Sequence, residues 1–71
     1  MLYCAQTIKV DFQGDRDPVI EVLGTFRDKK TATDLLISKI NKKSRYNGLY
    51  FNGIYLWMGV IYALIEIPEP I

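Results

Sequence analysis

The sequence predicts a small α+β domain spanning residues 1–71, with elements in the order β-β-α-β-β. An antiparallel sheet of three to four strands carries one helix on one face. Three observations predict it. Apolar residues alternate with a period of two towards both ends of the chain, the period becomes helical in the middle, and turn-forming residues separate the segments. At 71 residues the chain makes one domain. With 49% hydrophobic and 24% charged residues and a net charge of +1, its composition argues against disorder and against bulk attraction to nucleic acid or anionic lipid. A domain this small buries only about 60% of the surface its unfolded chain exposes. Its core must suffice without staples or be extended by a partner or a second copy.

The first strand runs from Leu2 to Phe12. Leu2, Cys4, Gln6, Ile8, Val10 and Phe12 share one face; Tyr3, Ala5, Thr7, Lys9 and Asp11 share the other. Gln13 to Pro18 is rich in turn residues and reads as a loop. A second strand follows from Val19 to Phe26, with Ile20, Val22 and Phe26 towards the core and Glu21 and Thr25 outward. Consecutive strands joined by a short loop predict an antiparallel hairpin.

Between Arg27 and Arg45 the period changes. Ala32, Leu35, Leu36 and Ile40 form one helical stripe, with Ile37 at its edge. Asp28 or Thr31 caps the start, and Thr31 with Asp34 is a variant of the capping box. Lys42, Lys43 and Arg45 complement the dipole at the other end, and Asn47-Gly48 is a stop signal.

Tyr46 to Ile65 carries no charge. A membrane helix needs about 20 predominantly apolar residues, and Asn47, Gly48, Asn52 and Gly53 break this stretch. Its composition, aromatic and β-branched, favours strands. One runs from about Leu49 to Leu56 and one from Val60 to Ile67, with Trp57-Met58-Gly59 as a tight turn or bulge; a single long bent strand is the competing layout. In the last strand Ile61, Ala63, Ile65 and Ile67 face one way and Val60, Tyr62, Leu64 and Glu66 the other. Pro68 and Pro70 end it. One helix covers one sheet face, so the other, expected to carry some of Tyr3, Leu23, Tyr50, Tyr62 and Leu64, is left for an interaction.

Catalysis finds little support. Histidine is absent and there is one cysteine, Cys4, on the expected core face, where a thiol is inert. With one thiol and no histidine, neither a zinc-finger site nor an intramolecular disulfide can form, no Gly-rich phosphate loop is present, and no cofactor is implied. Asp11, Asp15 and Asp17 flank Gly14 without the ligand spacing of a calcium loop. Met1 to Val10 has no charged n-region, which predicts no signal peptide and a cytoplasmic location, in a cell or an infected host.

The expectation is therefore a non-enzymatic protein-binding module, self-associating as a homodimer or higher oligomer, with Tyr50, Tyr55, Trp57 and Tyr62 as contacts. An alternative is single-stranded nucleic-acid binding through Lys39, Lys42, Lys43 and Arg45 beside an aromatic sheet face. A weaker one is sequestration of a small ligand between subunits. In size and in its lack of a catalytic centre the chain resembles small single-domain proteins of phages and mobile elements. That group includes inhibitors of host defence complexes; the resemblance implies action by covering a partner's surface and implies no site residue.

Overall fold

A computed structural model describes residues 1–11, 13–44 and 51–69. Four strands and one helix follow in order: β1 (Leu2–Lys9), β2 (Val19–Phe26), α1 (Lys29–Ser44), β3 (Ile54–Trp57) and β4 (Val60–Ile67). The expected α+β class and β-β-α-β-β order are therefore observed. The sheet order is β2-β1-β4-β3, and every neighbouring pair is antiparallel. Each hairpin thus contributes one inner and one edge strand. The inner strands pair without a shift from Leu2↔Ile67 to Lys9↔Val60, and Val10 extends that ladder by donating to the Gly59 carbonyl at 2.9 Å.

The second hairpin settles the layout of the apolar stretch. Trp57 pairs with Val60, leaving Met58-Gly59 as a two-residue turn, with φ of 51° at Met58 and 77° at Gly59. Two consecutive positive φ values match the twist of the flanking strands. Two strands are present here, and not one bent strand. The first is shorter than expected, since Phe51 to Gly53 lie outside it, while Leu49 and Tyr50 fall outside the described residues.

Asp28 caps α1. Its carboxylate accepts the Lys30 N–H at 3.3 Å and the Thr31 hydroxyl at 2.7 Å, while its carbonyl accepts the Ala32 N–H at 3.3 Å. The Lys30 N–H has no partner within the helix, and accepting it from the residue just before the helix is what an N-cap does; the Ala32 bond is the first of the helical ladder. Thr31, the other candidate, lies within the first turn. Ala32, Leu36 and Ile40 are fully buried; their spacing of four aligns them along the side of the helix that meets the sheet. The expected stop at Asn47-Gly48 lies outside the described residues.

The helix covers the face opposite to the one expected. Leu36 and Ile40 pack on Ala5 and Tyr62, with Leu23, Leu35, Phe51, Tyr55, Val60 and Leu64 around them. The covered side is therefore that of Tyr3, Ala5 and Thr7 in β1 and of Val60, Tyr62 and Leu64 in β4. The side of Leu2, Cys4 and Ile8 is left open. Alternation had grouped these residues correctly in β1 and β4, but a period of two names two faces without saying which one is covered.

In β2 the grouping itself changes. Ala5 pairs with Gly24 and Gln6 with Val22, so Leu23 is an extra residue opposite none. Such a bulge reverses the alternation on its far side. Ile20 and Val22 consequently belong to the open face, while Phe26, opposite Tyr3, belongs to the covered one. The sequence-based expectation that these three share a face is corrected by the bulge at Leu23.

Candidate protein-binding surface

The strands carry three charged residues, Lys9, Glu21 and Glu66. All three fall on the helix side: Glu21 pairs with Thr7, Glu66 with Tyr3, and Lys9 shares the alternation of Ala5 and Thr7. The open face of the four strands is thus free of charge. β1 gives it Leu2, Cys4, Gln6 and Ile8, and β4 gives Ile61, Ala63, Ile65 and Ile67. The edge strands add Ile20, Val22 and Thr25 from β2 and Ile54 and Leu56 from β3. Gln6 and Thr25 are its polar members. An antiparallel sheet with one solvated face usually alternates apolar-in with polar-out, and here the side turned away from the helix is apolar too.

The large aliphatics stand well into solvent. Ile20 is 60% exposed, Val22 59%, Ile54 59%, Leu56 56% and Ile65 40%. Cys4 and Ala63, between larger neighbours, are buried, and the Cys4 thiol lies 4.0 Å from the Gln6 Oε1, which it can address only weakly. Strands about 4.8 Å apart and up to about 26 Å long give the face a projected area on the order of 450 Å². Monomers rarely expose contiguous apolar patches larger than a few hundred Å².

The four expected aromatic contacts do not gather on this surface. Tyr62 is 4% exposed, beneath the helix. Tyr55 is half-buried beside it, ring centroids 6.5 Å apart and tilted by 44°. Trp57 is exposed at the end of β3, next to Met58, which is 84% exposed. Tyr50 lies outside the described residues. The aliphatic residues of the open face were not among the expected contacts.

A second cluster lies on the helix side. Lys39, Lys42 and Lys43 of α1 meet Lys9 of β1 around a cleft of about 310 Å³, whose walls include Glu21, Thr7 and Tyr62. Among the described residues no ion pair engages these lysines: the pairs formed join Glu69 to Met1 and Arg27, and Lys30 to Asp34. Arg45, the fourth expected basic contact, lies outside the described residues. Lys9 was missed because it stands far from the helix in sequence; its alternation with Ala5 and Thr7 was the available signal.

The acidic loop is organised from within. Both carboxylate oxygens of Asp11 accept backbone N–H groups, from Gln13 at 3.0 Å and Asp15 at 3.1 Å, and its carbonyl accepts the Gly14 N–H at 3.0 Å. Among the described residues no three metal-ligating side chains come together, and no helix is long and apolar enough to cross a membrane.

Comparison with protein-family models, with curated proteins and with solved structures finds no match to this chain.

Proposed function

We propose that this chain is a non-enzymatic protein-binding module that acts by occupying an uncharged apolar surface of a partner. The observation that supports this reading is the charge-free aliphatic sheet face opposite the helix. Water gains nothing from such a face, and covering it yields roughly 25 cal/mol per Å² of apolar area removed from solvent. Val22, Ile54, Leu56 and Ile65 are its contacts, and Met58 stands exposed at the hairpin end. In this reading the chain works as the small phage and mobile-element inhibitors do, by steric cover. A photo-crosslinking amino acid at Val22 tests it in cells. Protein adducts at Val22, absent when the probe sits at Asp17 in the polar loop, are expected; equal or no adducts at Val22 contradict it.

A second reading has its own observation, the lysine cleft. Four cations around one carboxylate make an electropositive recess able to follow the phosphates of a single strand. Engaging up to four phosphates gives a log–log salt slope of roughly −3. Anisotropy of a labelled single-stranded oligonucleotide measures it; a flat salt dependence, or no binding at low salt, removes this reading.

A further inference from the structure

We propose that the open sheet face seats a second copy of this chain, so that two sheets pack face to face about a two-fold axis with both helices outward. The inference rests on the protein-binding reading above and names its occupant.

Charge argues first. A partner presenting a carboxylate or ammonium to this face would bury it unpaired, at a heavy desolvation penalty. The occupant must therefore be as uncharged, and as broad, as the face itself. A second copy meets both conditions by construction, because a two-fold interface apposes the same patch from each subunit. Area argues next. Two faces of this size remove about 900 Å² in projection, close to the roughly 1,000 Å² at which specific interfaces begin. The core argues third. Leu36 and Ile40 are the largest fully buried side chains, both on the helix side. Sheets packed at about 10 Å interdigitate their inner side chains into a new core, which would bring Ile20, Val22, Ile54, Leu56 and Ile65 out of water.

The one polar side chain in the middle of the face fits this arrangement. Gln6 lies in an inner strand, opposite Ala63 and Val22. The centre of the four-stranded sheet falls between β1 and β4, so a two-fold axis there brings Gln6 close to its counterpart. A primary amide is both donor and acceptor, so two glutamines related by the axis satisfy each other reciprocally. A buried polar pair of this kind sets register at some expense of stability.

Sedimentation equilibrium of the full chain tests the proposal, with Val22→Lys and Ile65→Glu beside the wild type. Val22 is 59% exposed on an edge strand, so a lysine there stays hydrated in a monomer and the fold, followed by circular dichroism, is kept. The expected result is a wild-type dimer at about 10 µM and a dissociation constant raised at least about tenfold by Val22→Lys, which corresponds to roughly 1.4 kcal/mol. A wild type that stays monomeric at about 100 µM, or a dimer that neither substitution weakens, overturns it. A monomer that still binds an apolar dye, lost in Val22→Lys, overturns self-association and keeps the broader protein-binding reading. A monomer that binds no dye overturns both.

Discussion

The ring of Phe26 lies over Gly24: a Cβ built on Gly24 would stand 2.8 Å from the Phe26 Cζ. The contact exists because the bulge at Leu23 turns both residues to the helix side. An aromatic ring thereby covers a bare stretch of edge-strand backbone beside Ala5.

From this contact, Gly24→Ala is expected to destabilise by about 1 kcal/mol. Overpacking costs about 1–3 kcal/mol, and the reduced freedom of the unfolded chain returns about 0.4–1. Phe26→Leu, which withdraws the clashing atoms, should make the alanine cheaper. Urea denaturation of the four members of the cycle measures the coupling; additive effects would show that the ring does not rest on Gly24.

Met58 occupies a left-handed conformation, φ 51°, with its side chain 84% exposed. Such a backbone costs an ordinary L-residue roughly 1–2 kcal/mol, and asparagine and glycine adopt it more readily. Met58→Asn is expected to raise the urea midpoint without changing the slope. A lowered midpoint would mean that the methionine side chain holds the hairpin in some other way.

Leu36 is fully buried between Ala5 and Tyr62. Leu36→Ala should cost about 2–5 kcal/mol, a large share of the roughly 5–15 kcal/mol by which domains are stable. Its circular dichroism melt is expected to be lost or shifted far down. The same truncation at Cys4, on the other side of the sheet, removes far less volume and should leave the fold intact. Equal losses at the two positions would contradict the placement of the core under the helix.

The Asp28 carboxyl is held below its ordinary value of 3.8, first by the Thr31 hydroxyl and then by the Lys30 N–H. A depressed folded value contributes stability at neutral pH that is lost as the pH falls through it. The melting temperature should therefore drop in a window below about pH 4, modestly because the group is exposed and screened. Asp28→Asn keeps an N-cap oxygen and should flatten that part of the profile. An unchanged acid limb in the variant would place the titrating group elsewhere.

Much of this fold was legible. The alternation in Leu2–Lys9 and Val60–Ile67, the stripe of Ala32, Leu36 and Ile40, and a cap at Asp28 or Thr31 are local signals, and local physics writes them directly. What was not legible is tertiary. Nothing in a period of two says whether Tyr62 or Ile65 meets the helix, and the more aliphatic side looked like the core. The bulge at Leu23 left no local mark strong enough to separate Val22 from Phe26. The open face was hidden by the same ambiguity: Ile65 shared the alternation of Ile61 and Ala63 and read as interior, whereas Tyr62 read as a contact. Lys9 joined the helix lysines only once β1 was placed beneath α1.

Native mass spectrometry of the chain purified from cells reads out whether the open face of Val22, Ile54 and Ile65 seats a second copy. The expected species has twice the 8.2 kDa of the chain, is free of nucleotide and is converted to the single-chain mass by Val22→Lys. A single-chain mass in the wild type, or an adduct of oligonucleotide mass in place of the dimer, would contradict it.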